Sequence, residues 1–296
     1  NAVKNVEQEL AKLDKRLPTK VDCPMSSSYC PELEVSPFLS PELMNYYQNL
    51  IGVLRWAVEL GRIDIHVSVS LLSQYLAQPR EGHLDQAFRI FGWLKKHSRS
   101  RVVFDDGYVD WRDKFVDVDW SDFYPDAVEP IPSNAPDSRG PEVQVNCFVD
   151  ADHAGNRITR RSHTGVLIYC NKAPICWYSK RQNTVETSTF GSEFIALKIA
   201  TELIQSLRYK LRMMGVALDG PANVFCDNNS VVINSSVPES TLKKKHVSIC
   251  YHRVREGCAM RMIRIAHEGT TTNLADCLTK NLAAPTLMEL LHRILY

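Results

Sequence analysis

The stretch Val143-Gln144-Val145-Asn146-Cys147-Phe148-Val149-Asp150 decides the reading of this chain, together with a shorter counterpart, Asn223-Val224-Phe225-Cys226-Asp227. Both are β-branched and aromatic runs, the composition of strands that fit a half-buried or buried sheet. Both end on a lone aspartate. A carboxylate placed where such a strand leaves the core is poorly solvated and needs a partner. Between the two, Leu197, Ala200, Ile204, Leu207 and Leu211 form the inward stripe of a helix, and Glu193 heads that stripe one turn earlier. The helical spacing puts this glutamate on the buried face. A fourth acid, Asp276, opens the apolar helical stretch Asn273-Leu274-Ala275-Asp276-Cys277-Leu278. Four acids on one core-facing rim repel one another unless divalent cations sit among them. The pattern predicts a two-metal site of the kind that cleaves phosphodiesters.

The 296 residues exceed the usual size of one domain, so two units are the default. A hydrophobic share of 44% with 23% charged residues fits an ordinary globular protein. No apolar stretch approaches the roughly 18 residues of a membrane span, and Asn1-Ala2-Val3-Lys4-Asn5 is no signal peptide. Without an initial Met, the chain reads as a piece of a longer one. The 9 cysteines form no CxxC pair and fall among apolar neighbours, which predicts reduced thiols in an intracellular, non-secreted protein. The net charge of +1 hides an asymmetry: residues 144–296 carry 19 Lys and Arg against 12 Asp and Glu, while residues 1–143 carry 16 against 22. A basic half that also holds four clustered acids suits a protein that binds a polyanion and cuts it.

Residues 41–97 read as helices. Ser40-Pro41-Glu42 supplies an N-cap, a first-turn proline and a first-turn acid ahead of Leu43, Tyr46, Tyr47, Leu50, Leu54 and Val58. Two further runs follow, around Leu71 and around Phe88 and Phe91, and these helices are predicted to pack as a unit of their own. Their aromatic residues read as core. Residues 105–142 are acidic and proline-marked, an irregular connection. From 143 the pattern is strand 143–149, strand 162–170, strand 174–179, helix 189–213, strand 222–226, helix 240–258, strand 261–267 and helix 273–280, with a hairpin turn over 171–174. The order βββαβαβα gives a mixed five-stranded α/β sheet with helices packed on it.

This order, with its acids, resembles ribonuclease H, and the wording of the segments resembles the copia-type LTR retrotransposon polyproteins. The telling stretches are Val149-Asp150-Ala151-Asp152-His153-Ala154-Gly155-Asn156, Arg160-Arg161-Ser162-His163-Thr164-Gly165, Trp177-Tyr178-Ser179-Lys180-Arg181-Gln182, Ser192-Glu193-Phe194-Ile195-Ala196-Leu197, Cys226-Asp227-Asn228, Lys245-His246 and Leu274-Ala275-Asp276-Cys277-Leu278-Thr279-Lys280. Upstream, Tyr47-Gln48-Asn49-Leu50-Ile51-Gly52-Val53-Leu54-Arg55-Trp56 and Pro79-Arg80-Glu81-Gly82-His83-Leu84 resemble the thumb and connection that follow a polymerase palm. The resemblance divides the chain into a thumb/connection-like region (1–104), a connection (105–142) and a ribonuclease H domain (143–296). It leaves out the polymerase centre, because the one Asp-Asp pair, Asp105-Asp106, lacks the family's Tyr-x-Asp-Asp setting.

The resemblance implies the catalytic and metal-binding acids Asp150, Glu193, Asp227 and Asp276, the same four picked out above. It implies two Mg²⁺ ions, with Mn²⁺ as a substitute, and cleavage of RNA in RNA–DNA hybrids within the cytoplasm, a virus-like particle or the nucleus, alongside the rest of the polyprotein. Oxygen ligands with few His or Cys match Mg²⁺. Candidate substrate contacts are Lys180, Arg181 and Gln182 after the third strand, Ser188 before the long helix, Asn228 toward a ribose 2′-OH, and Lys243, Lys244 and Lys245. Each has a plainer reading: a helix cap for Ser188, a solvated turn or face for the basic residues. Asp152 reads as a loop carboxylate. An integrase-like enzyme would need a late helical Glu, and position 262, thirty-five residues after Asp227, is Met. The competing reading is a non-catalytic nucleic-acid- or partner-binding module.

Overall fold

The apolar run that contains Asp150 becomes β2 (Val145–Asp152), the central strand of a five-stranded sheet. The structure is a computed structural model that describes residues 2–12, 16–242 and 245–295. β2 lies antiparallel to β3 (His163–Cys170), which pairs antiparallel with β4 (Ala173–Arg181). On its other side β2 runs parallel to β6 (Ala222–Cys226), and β6 runs parallel to β7 (Ile263–His267). The order is β4-β3-β2-β6-β7, the mixed sheet predicted from the alternation of elements. A separate two-stranded parallel pair, β1 (Arg139–Val143) with β5 (Val216–Leu218), was not predicted.

Both faces of the sheet are covered, which is why β2 is buried almost throughout. Val145, Cys147, Val149, Val224 and Cys226 pack under α5 (Thr189–Met213) and α7 (Ser248–Ala259). Phe148, Leu167, Tyr169 and Phe225 share a core with the N-terminal helices α1 (Ala2–Lys12), α2 (Pro41–Glu59), α3 (His66–Leu72) and α4 (Glu81–Lys96), and with α8 (Ala284–Leu291). Ser40 caps α2 by accepting from the Leu43 N–H at 3.3 Å, as its sequence predicts. The helices of 41–97 nevertheless do not pack as a unit of their own. Their buried side chains share one core with the sheet, α3 packs on β4, and polar contacts cross the junction: Trp177 Nε1 donates to the Val58 carbonyl at 3.0 Å, and the Ser70 hydroxyl to the Ser179 carbonyl at 2.8 Å.

Segment 105–142 is largely irregular, and it is fastened to the sheet and to α5. Trp111 and Phe115 pack against Phe225 with ring centroids 4.8 and 5.7 Å apart, and Glu129 is held by Arg208 and Arg212 at 2.7–2.9 Å. Three local predictions change. The helix predicted over 240–258 starts late, as a 3₁₀ turn Lys245–Val247 leading into α7. An unpredicted α6 (Asn229–Ser236) precedes it, although its Ser, Asn and Val residues are poor helix formers. It is held by the Asn228 cap and by the burial of Val231 and Val232 as it packs on α7 and β7. The helix predicted over 273–280 is a 3₁₀ turn, Leu274–Leu278.

Candidate active site

The parallel ladder between β2 and β6 ends at the pair Val149↔Cys226. Asp150 is the first β2 residue beyond it, and Asp227 the first residue after β6, so their carboxylates leave adjacent strands at the same edge. β2 itself continues against β3 through Asp152, because Asp150 still pairs with Gly165. Asp150 therefore sits at a fork in the sheet and not at a strand end. Asp152 belongs to β2 as its last residue and not to a loop; its carboxylate accepts from the His163 N–H, and burial pushes it up to about 8.

Asp276 reaches the same edge from the Leu274–Leu278 turn. Asn273 fixes that turn: its amide donates to the Val149 carbonyl at 2.9 Å, while its oxygen accepts from Ala275 N–H at 3.1 Å. Gly165 lets the turn close down on β3, since a Cβ there would lie 2.7 Å from Thr279 Cγ2 and 2.8 Å from the Ala275 carbonyl oxygen. Glu193 projects from the first turns of α5, which Ser188 caps by accepting from Gly191 N–H at 3.3 Å.

One carboxylate oxygen from each of Asp150, Asp227 and Asp276 lies within 4.8 Å of the others. Glu193, Asp227 and the Cys226 thiol form a second such group. The crowding has its electrostatic signature. Burial and then the neighbouring Asp150 charge push Asp227 and Asp276 upward, and burial with the charges of Asp150 and Asp227 pushes Glu193 well above the carboxylate range. Glu193 Oε2 and Asp276 Oδ1 are buried with no hydrogen-bond partner. Carboxylates converging from four elements, two of them with a buried, unpartnered oxygen, are the donor set of a hard divalent cation. The soft Cys226 sulfur is a poor ligand for such a hard ion.

Two neighbours were missed by sequence reading. The Thr279 hydroxyl donates to Asp150 Oδ2 at 2.5 Å, and Lys280 Nζ lies 3.1 Å from Asp276 Oδ2 and 3.9 Å from Asp150 Oδ2. The available signal was the i,i+4 spacing of Asp276 and Lys280. His267, exposed at the end of β7, places Nε2 3.1 Å from the Asp227 carbonyl.

The candidate substrate contacts divide. Lys180 and Arg181 line a cleft of about 350 Å³ against Arg55 and His66 of the N-terminal helices. Arg181 also lines an adjoining cleft of about 320 Å³ that carries Arg157 and Arg161 and reaches Thr279 and Lys280. Gln182 is corrected: it is buried, and its amide donates to Thr164 Oγ1 at 3.0 Å and the Ser192 carbonyl at 2.9 Å, which ties β4 to the start of α5. Asn228 and Ser188 both act as helix caps. Lys245 is exposed, whereas Lys243 and Lys244 lie outside the described residues.

No family model matches the chain. It is 24% identical over 273 residues to the retrovirus-related Pol polyprotein from transposon RE1 of Arabidopsis thaliana, a match that covers 92% of the chain and 16% of that protein. It is likewise 24% identical over 282 residues to the Pol polyprotein from transposon TNT 1-94 of Nicotiana tabacum, covering 94% of the chain and 18% of that protein. The putative transposon Ty5-1 protein YCL074W of Saccharomyces cerevisiae is 42% identical over 159 residues, 53% of the chain and 41% of that protein. The chain thus spans less than a fifth of the length of the plant polyproteins it matches. Among solved structures, LC11-RNase H1 in complex with RNA/DNA hybrid aligns at 19% identity with a TM-score of 0.38, over 46% of the chain and 94% of that structure. The N-terminal RNase H domain of rv2228c from Mycobacterium tuberculosis aligns at 15% identity with a TM-score of 0.36, over 50% of the chain and 98% of that structure. Along most of its length, the chain is a homologue of the retrovirus-related Pol polyproteins of copia-like plant transposons.

Proposed function

We propose that the chain is the ribonuclease H part of a retrotransposon reverse transcriptase, cutting the RNA strand of RNA–DNA hybrids. The observation that carries this reading is the convergence of Asp150, Asp227 and Asp276 within 4.8 Å, with the buried Glu193 beside them. These four would hold two divalent ions, Mg²⁺ with Mn²⁺ as a substitute, which when bound supply an activated water and stabilise the leaving 3′ oxygen. The protein's own part is to fix the ligands before substrate arrives. Thr279 orients one oxygen of Asp150, Asn273 sets the height of the Asp276 turn, and the capped start of α5 holds Glu193 in place. Lys180 and Arg181, with Arg157 and Arg161 in the adjoining clefts, would take phosphates of the hybrid, and Lys245 is a further phosphate contact.

Under this reading 1–104 is thumb/connection-like, 105–142 connects, and 143–296 carries the chemistry, within a polyprotein working inside the cell. Among the described residues, no helix is long and apolar enough to cross a membrane. Asp150→Asn keeps the shape of the side chain and removes its charge. It is expected to reduce hybrid cleavage in Mg²⁺ by more than tenfold while hybrid binding persists and weakens steeply with salt. A variant that cuts at more than a tenth of the wild-type rate overturns the assignment. A wild-type chain that binds hybrid tightly and never cuts it is a binding module instead.

A further inference from the structure

We propose that the Lys280 ammonium is a resident counter-cation of the carboxylate cluster, which a divalent ion must displace in order to bind, so that this lysine sets how tightly the site takes metal. The inference rests on the reading of the four acids as metal ligands. Lys280 Nζ is within 4 Å of two of them, at 3.1 Å from Asp276 Oδ2 and 3.9 Å from Asp150 Oδ2. Among the described residues, no other lysine or arginine forms an ion pair with the four acids.

The ammonium engages carboxylate oxygens that a divalent ion would need as ligands. Mg²⁺ needs its oxygen ligands at about 2.0–2.1 Å, and Asp276 Oδ2 is already engaged by Nζ. A monovalent ammonium and a divalent ion cannot share that oxygen pair without strong like-charge repulsion at about 3–4 Å. The lysine has somewhere to go. Its side chain is 41% exposed, and its flexible stem can carry the charge out into the adjoining cleft.

A lysine that merely braced the turn would behave differently, and the difference has opposite sign. Loss of a brace loosens the ligands and weakens metal binding. Loss of a competitor strengthens it. The test uses the full chain and Mn²⁺ alone, counting free Mn²⁺ by electron paramagnetic resonance during titration of wild type, Lys280→Met and Lys198→Met. Lys198 pairs with Glu202 on α5 at 2.8 Å and serves as the control for loss of a lysine elsewhere. Lys280→Met is expected to bind Mn²⁺ on the order of tenfold more tightly than wild type, with Lys198→Met unchanged. An unchanged or weaker Mn²⁺ affinity in Lys280→Met overturns the proposal while leaving the metal site standing. A wild-type chain that binds no Mn²⁺, with Asp150→Asn identical to it, overturns the metal reading itself.

A second measurement needs no variant. Wild-type chain is briefly acetylated with and without saturating Mg²⁺, and each lysine is quantified by mass spectrometry. Displacement from the acids frees the Lys280 amine, so its labelling relative to Lys198 is expected to rise several-fold with Mg²⁺. Constant or slower labelling of Lys280 in Mg²⁺ overturns the displacement.

Discussion

Gly165→Ala offers a way to move one carboxylate of the site without touching any of the four. Gly165 lies in β3 opposite Asp150, and a methyl group there would sit 2.7 Å from Thr279 Cγ2, 2.8 Å from the Ala275 carbonyl oxygen and 2.9 Å from Leu278 Cβ. Carbon atoms in contact prefer about 3.5–4.0 Å, so the Leu274–Leu278 turn has to recede by about 1 Å. It cannot recede freely. The Asn273 amide on the Val149 carbonyl, the Ser179 hydroxyl on the Leu278 carbonyl at 2.7 Å and the Thr279 hydroxyl on Asp150 all resist. Overpacking of this kind costs about 1–3 kcal/mol. The same displacement carries Asp276 away from Asp150 and Asp227, and a misplacement of about 1 Å costs on the order of 100-fold in rate.

The expected result is therefore a modest loss of stability, read by urea unfolding in EDTA, beside a large loss of hybrid cleavage in Mg²⁺. Gly257→Ala is the control. Its methyl would meet only side-chain atoms, Thr201 Cγ2 at 3.1 Å and Ile263 Cδ1 at 3.2 Å, at the packing of α7 on α5 and β7. It is expected to cost no more than about 1 kcal/mol, below the overpacking range, because both neighbours can yield, and to leave cleavage within about twofold of wild type. Gly165→Ala with a cleavage rate within threefold of wild type would show that the close approach of the turn does not set the position of Asp276, and would refute the argument.

The remaining predictions concern charge. Burial holds the imidazole of His163 down to about 3 and that of His66 to about 4, so both are neutral in the fold but take a proton in the unfolded chain below about 6.5. Their contribution is present above that pH and is lost as pH falls toward 4 and then 3. At pH 4.5 the loss at His163 is roughly 2–3 kcal/mol, and His163→Gln should flatten the acid side of a plot of melting temperature against pH. Glu129→Gln leaves the buried Arg208 guanidinium without its carboxylate, which should cost about 2–4 kcal/mol in urea unfolding and speed proteolysis within 130–138. Mg²⁺ at 100 times its dissociation constant should stabilise the fold by about 2.7 kcal/mol, and this increment should vanish in Asp150→Asn.

What the sequence discloses about this site follows from how each group is held. Asp150 and Asp227 stand out because an apolar strand ends its pairing beside each of them, and Glu193 because it heads a stripe of regular period. All three positions are dictated by repeating structure, and repeating structure leaves a period in the sequence. Asp276 was legible as an acid in an apolar stretch, but the stretch is a 3₁₀ turn and not the predicted helix, since what shapes it is the Asn273 bond to Val149 and the absence of a side chain at Gly165. Those are contacts across more than 100 residues, and no local pattern records them. The same holds for Thr279 and Lys280, which reach Asp150 only once that turn has docked, and for Glu129, whose two arginine partners lie about 80 residues further along. Gln182 erred in the opposite direction: a polar residue after Lys180 and Arg181 reads as surface, yet its amide satisfies Thr164 and Ser192 inside the fold. The groups that hold a ligand by periodic elements are thus the readable half of the site. The groups that tune it are supplied by irregular segments docked onto that frame, so mutations aimed at Gly165, Thr279 and Lys280 test what the four acids alone leave open.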